Sequence, residues 1–281
     1  MATPVKKEVT ETLEQRRAKW YTKVKELESK KFCIVVGTSD KNGMSDGTGK
    51  TALTVSYGID YLKKNPTKNI FIIDIDCSVD YIAKYYTEYT DRILVFQPNF
   101  VKEDNTADFT RCIKEINAVC GDIAKNYEEL NIGMIIFDGL TPFKKMCEMQ
   151  MRMDKFITTE GKVNTLFWQT RNNHFFKSLN TLRRVPIHKF FIAQDDFLAF
   201  NQTIDMGGTV VKVGALQKSV SEMCLQRILC SKKENSNGDY VLTAKIDKAK
   251  DAPEKLNKEY KFMIVNDKGV RFNTDKVFEG L

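Results

Sequence analysis

Phe32-Cys33-Ile34-Val35-Val36-Gly37 is followed, after a polar stretch, by Ser45-Asp46-Gly47-Thr48-Gly49-Lys50-Thr51 and then by Ala52 to Lys64, a helical stretch. The first run is apolar without alternation, the reading of a short strand buried on both faces. Gly-Lys-Thr at a helix start then directs backbone N–H groups, the positive end of the helix dipole and one ammonium at a single point. That is a phosphate site, and the Thr51 hydroxyl can join a Mg²⁺ shell. Asp46, Gly47, Thr48, Gly49, Lys50 and Thr51 are therefore the expected triphosphate-binding residues. One departure from the full GxxxxGK[ST] pattern stands out: its first glycine falls on Met44, with Gly43 just before it.

Working outward, further short apolar runs occur at Ile70 to Ile75, Ile93 to Phe96, Met134 to Phe137 and Phe190 to Ala193, separated by helical stretches. Their continuous apolar character predicts an α/β fold with a mainly parallel sheet and crossover helices. From Leu225 the character changes. Leu225 to Cys230, Tyr240 to Ile246 and Tyr260 to Val265, with a polar turn around Asn235-Ser236-Asn237-Gly238, read as an antiparallel meander at the C-terminal end. Ahead of the core, Val9 to Lys31 places Leu13, Trp20, Val24 and Leu27 at helical spacing. The expected division is thus an amphipathic helix in 1–31 and a core in 32–281, the helix packing on its own core or on a neighbouring subunit.

With 281 residues and 42% apolar content the chain can bury a real core. Lys and Arg number 44 against 37 Asp and Glu, a mild excess of +7 that is compatible with a polyanionic partner without requiring one. The seven cysteines (Cys33, Cys77, Cys112, Cys120, Cys147, Cys224 and Cys230) include no CxxC pair and predict buried, reduced thiols in a cytoplasmic protein. No apolar run approaches membrane-span length, so no membrane association is expected. His174 and His188 are the two histidines, too few and too isolated for zinc chemistry or a serine-type triad.

Two strands end in carboxylates, Asp74 and Asp76 after Ile72-Ile73, and Asp138 after Met134-Ile135-Ile136-Phe137. Carboxyl ends of parallel strands face the ligand crevice. Asp138 suits the role of holding Mg²⁺, directly or through water, and either Asp74 or Asp76 can orient an attacking water.

From about Phe32 to Val265 the order of these elements resembles the RecA/RadA-like class of P-loop ATPases. Phe71-Ile72-Ile73-Asp74-Ile75-Asp76 followed by Cys77-Ser78-Val79-Asp80-Tyr81 is similar to the segment carrying the family's catalytic acid, with Asp76 where the family has Glu. Asp80 and Tyr81 then lie near the adenine. Ile93 to Pro98 resembles the family's strand ending in Gln-Pro, and Phe137 to Pro142 its metal-binding strand and turn. Gln194, after Phe190 to Ala193, falls where RecA senses the γ-phosphate with an amide.

Asp195 to Gly208 reads as a loop carrying Phe197 and Phe200 and closing on Gly207-Gly208, with Lys212 beyond. It resembles the second DNA-binding loop, where aromatics and a lysine suit single-stranded DNA. The same stretch also reads as a lid with buried phenylalanines. A first DNA loop would fall within Lys144 to Lys162, which carries Lys145, Arg152 and Lys155. Finally, Lys248-Ala249-Lys250 ahead of Ala252-Pro253 is similar to the Lys-x-Lys that RecA extends into its neighbour's ATP.

The resemblance implies a Mg²⁺-dependent ATPase that binds ATP at the subunit boundaries of a homo-oligomer, ring or filament. It would act on single-stranded DNA in recombination, annealing or repair. ParA/MinD-like ATPases share the Gly-Lys-Thr and Asp-x-Asp features, but their signature lysine position holds Ser45 here. DnaB- or KaiC-type ATPases and a non-hydrolysing recombinase-paralogue adaptor stay open as alternatives.

Overall fold

The structure is a computed structural model that describes residues 30–38, 47–98, 101–102, 106–194, 202–206, 209–213 and 216–273. The expected N-terminal helix falls outside the described residues apart from its last two positions, and Asp46, Phe197, Phe200, Gly207 and Gly208 fall outside them altogether. Lys31–Leu281 forms one compact unit, which holds all the strands and helices of the described fold.

Strands β1 (Phe32–Gly37), β2 (Asn69–Asp74), β3 (Ile93–Phe96), β4 (Ile132–Asp138) and β5 (His188–Ala193) form the parallel part of the sheet. Helices α1 (Lys50–Lys64), α2 (Val79–Ala83), α3 (Phe109–Asn126), α4 (Leu140–Asp154) and α5 (Trp168–Arg183) connect them. A separate hairpin, β6 (Gln202–Met206) with β7 (Thr209–Val213), precedes α6 (Leu216–Met223). The chain returns to the main sheet through β8 (Gln226–Glu234), β9 (Tyr240–Ala249), β10 (Glu259–Asn266) and β11 (Gly269–Phe272). The order across the sheet is β11-β10-β9-β8-β1-β5-β4-β2-β3.

All residues of β1 and β4 are buried, as their unbroken apolar runs require. Cys33 and Val35 pack with Leu53, Val55 and Ile59 of α1 on one face. Ile34 and Val36 turn to the other face, with Ile116 of α3, Phe143 of α4 and Phe175 of α5. Helices therefore cover both faces, and the mainly parallel α/β prediction holds. The C-terminal meander holds as well, β8 pairing antiparallel with β9 and β9 with β10, while the other edge of β8 joins β1 in parallel. Two expectations change. The stretch from Lys144 is helix as far as Asp154, where a loop was expected. Within the stretch read as a loop from Asp195 to Gly208, residues 202–206 form β6, whose Met206 pairs with Thr209 of β7.

Six of the seven cysteines are buried, Cys77 being exposed. Burial pushes the Cys120 and Cys224 thiols up to about 12, as expected for inert core thiols. Among the described residues no helix is long and apolar enough to cross a membrane.

Candidate functional site

The sheet register brings the strand-end residues together. Asp74 pairs with Asp138, Asp138 with Ile192, and Ile192 with Val35, so the carboxyl ends of β2, β4, β5 and β1 lie side by side. Gly49, at φ +78, lets the chain turn into α1 at that edge. A Cβ there would stand 2.6 Å from Leu242 Cδ2 and 2.8 Å from Phe262 Cζ, so β9 and β10 press directly on the loop.

A cavity of about 490 Å³ opens above this edge. Gly47 to Gly49 of the loop and Lys50 and Thr51 at the start of α1 line it together with Asp76, Asp138 and Gln194. Tyr81, Ile82 and Met263 add apolar surface to the lining. A cluster of first-turn N–H groups, one ammonium and an aromatic wall suits a nucleotide polyphosphate with its base.

Asp74 and Asp76, equivalent by sequence, separate sharply. Asp74 is fully buried, and its carboxylate accepts Ser78 N–H at 3.1 Å, Val79 N–H at 3.3 Å and Gln97 Nε2 at 2.9 Å. Those bonds commit it to holding the turn into α2. Asp76 is exposed and lines the cavity, so of the two carboxylates it is the one a bound ligand can reach. Cys77, between Asp76 and Ser78, takes φ 50, a left-handed conformation uncommon outside glycine, and both its neighbours line the cavity.

Asp138 is buried, and its Oδ2 accepts Thr51 Oγ1 at 2.6 Å and Ser78 Oγ at 3.0 Å. Burial pushes its carboxyl up to about 7, with the two hydroxyl bonds opposing and the nearby Asp76 and Asp74 charges reinforcing. Hydroxyl and carboxylate oxygens are hard donors, and the set Thr51 and Asp138 fits Mg²⁺. Among the described residues no group of three or more His, Cys, Asp or Glu side chains could hold a metal. A set of one hydroxyl and one carboxylate leaves most of an octahedral shell to phosphate oxygens and water, the usual way Mg²⁺ is held on a nucleotide. Gln194 is anchored by its backbone N–H, which donates to Thr141 Oγ1 of α4 at 3.0 Å.

Compared with known protein families and with curated proteins, the chain matches no family model and no curated sequence.

The remaining predicted residues lie elsewhere. Asp80 is exposed in α2 and does not line the cavity, whereas its neighbour Tyr81 does. Lys248 pairs with Arg227, which pairs with Ile34 near the start of β1, so it sits at the end of the sheet away from the loop. Its Nζ donates to Ser221 O and that of Lys250 to Glu222 O at 3.4 Å, both near the end of α6. The two ammoniums thus point the same way, as i and i+2 spacing requires, but away from their own chain's cavity. Of Lys212 only the β7 backbone is described. Arg152, grouped with candidate DNA contacts, instead binds Glu148, Thr158 O and Gly161 O and closes the turn after α4.

Sequence reasoning assigned no role to Ser78, Ile82 or Met263, which line the cavity. Nor did it single out Lys232, whose Nζ lies 3.4 Å from where a Gly47 side chain would begin. Ser78 carried a usable signal, a hydroxyl two residues past Asp76; Met263 and Lys232 carried none, because only the curl of the C-terminal strands brings them near the loop.

Proposed function

We propose that this chain is a RecA-like ATPase that binds ATP with Mg²⁺ in this cavity, at the subunit boundaries of a homo-oligomer. It acts on single-stranded DNA in recombination, strand annealing or repair. The observation that carries the reading is the convergence of Lys50, Thr51, Asp76, Tyr81, Asp138 and Gln194, drawn from four separate segments, on one cavity. Chance Gly-Lys-Thr sequences lack such company.

In this reading the N–H groups opening α1 and the Lys50 ammonium receive the phosphates, and Tyr81 with Met263 flanks the base. Thr51 and Asp138 hold Mg²⁺, which when bound neutralises developing phosphate charge. Asp76 orients the water that attacks the γ-phosphorus. Gln194 reads the γ-phosphate through its carboxamide, while its backbone N–H, donated to Thr141 Oγ1, ties the residue to α4. Lys248 and Lys250, turned from their own cavity, act on the nucleotide of a neighbouring copy. The β6–β7 hairpin and Lys212 contact single-stranded DNA.

The test is ATP turnover by the purified protein with and without single-stranded DNA. DNA-stimulated hydrolysis is expected, and Asp76→Ala should abolish turnover while nucleotide still binds. A second reading, a non-hydrolysing adaptor, is favoured by one observation: Asp76 is a methylene shorter than the family's Glu. Tight ATP binding without turnover would select it.

A further inference from the structure

Ser78 has no part in the chemistry assigned to Thr51, Asp76 and Asp138, yet its hydroxyl touches both proposed metal ligands. Ser78 Oγ lies 3.0 Å from Asp138 Oδ2 and 3.2 Å from Thr51 Oγ1, and those two oxygens are 2.6 Å apart. Three oxygens from three segments thus close a triangle on the cavity wall. Octahedral Mg²⁺ with ligands at 2.0–2.1 Å sets neighbouring oxygens about 2.9 Å apart, so the triangle has the size of one face of such a shell. Both hydroxyls donate their hydrogens to the carboxylate, and each can rotate that hydrogen away and turn a lone pair to a cation without moving an oxygen.

The placement of Ser78 is also enforced. Its backbone N–H is held by the buried Asp74 carboxylate, which Gln97 at the end of β3 secures in turn. Cys77, just before it, takes the left-handed conformation. A backbone conformation that is uncommon for a non-glycine residue persists where the surroundings over-determine it.

We propose that Ser78 is a third protein oxygen of the divalent-cation site, completing Thr51 and Asp138, and that Asp74 and Gln97 exist to position it. The proposal rests on the nucleotide-binding reading. Its consequence is a site that takes its cation partly from the protein rather than wholly on the nucleotide.

The test is equilibrium binding of a fluorescent ATP analogue to wild type, Ser78→Ala, Ser78→Thr and Ser78→Cys, first in EDTA and then over a Mg²⁺ titration. Ser78→Ala should bind the analogue in EDTA as wild type does, but need about tenfold more Mg²⁺ to reach half of the Mg²⁺-induced tightening. Ser78→Thr, which keeps the oxygen, should restore the wild-type requirement. Ser78→Cys keeps the shape and removes the oxygen, so it should match Ser78→Ala and serves if the alanine variant does not fold. An unchanged Mg²⁺ requirement in the alanine or cysteine variant overturns the proposal, as does equal loss of affinity in EDTA. Wild-type protein that binds no analogue overturns the underlying nucleotide reading, and this proposal with it.

Discussion

Asp138→Asn should stabilise the ligand-free protein while removing its Mg²⁺-dependent response to ATP. The carboxyl moves from 3.8 to about 7 on folding, with burial the leading cause. Between those values the folded chain keeps a proton that the unfolded chain has released, so this group's contribution to stability falls as pH rises through that window. Above the folded value the full penalty for a buried carboxylate applies, on the order of 4 kcal/mol. Asparagine keeps the shape and still accepts from Thr51 and Ser78 without the charge. Its amide nitrogen replaces the second carboxylate oxygen imperfectly, so a gain of roughly 2–4 kcal/mol is expected at about pH 8, shrinking towards zero near pH 4. Urea unfolding followed by circular dichroism across this range measures the difference. In the second arm, Mg²⁺ and ATP at about a hundred times Kd should add about 2.7 kcal/mol to wild type, with the Mg²⁺-dependent part missing from the variant. A variant less stable than wild type at about pH 8, or a difference indifferent to pH, would refute the assignment of Asp138 as a destabilised, functional carboxylate.

Three further outcomes are expected. Gly49→Ala forces a side chain into φ +78 against Leu242 and the buried Phe262, and should cost about 3 kcal/mol in urea unfolding as well as nucleotide affinity; wild-type stability would contradict the described contact. Lys248→Ala with Lys250→Ala should leave ATP affinity unchanged, because both lysines face away from their own cavity, while turnover by the oligomer drops by about a thousandfold, as for loss of a trans cation; normal turnover rejects the trans role. Affinity for single-stranded DNA should fall steeply with salt, with a log–log slope of about −0.7 per phosphate contact; binding insensitive to salt would exclude a backbone-contact mode.

Much of the core was legible because its strands are buried on both faces, and that writes itself as unbroken apolar runs. β1 and β3 begin and end where those runs do. Partners were not legible in the same way. β8 meets β9 antiparallel, as its polar turn signals, but nothing in Leu225 to Cys230 announces that its other neighbour is β1, reached through the short helix α6. At the site, Gly49, Lys50, Thr51 and Asp138 could be read directly, since strand-end and helix-start positions dictate their surroundings. Asp74 and Asp76 could not be ranked, because what separates them is the pair of N–H groups at Ser78 and Val79 and the reach of Gln97 from an adjacent strand. Met263 and Lys232 depend on the curl of β8 to β10 toward the loop, a long-range property that no local pattern records. Lys144 and Lys145 drew attention as charges on an expected loop, whereas α4 carries them as helix residues.

The central claim is that the cavity at the start of α1 is an ATP site, and equilibrium binding of ATP in Mg²⁺ to wild type and to Lys50→Ala tests it most directly. Saturable binding by wild type, weakened by at least about a hundredfold when the Lys50 ammonium is removed, is the predicted result; no binding by wild type, or equal affinity in the variant, would contradict it.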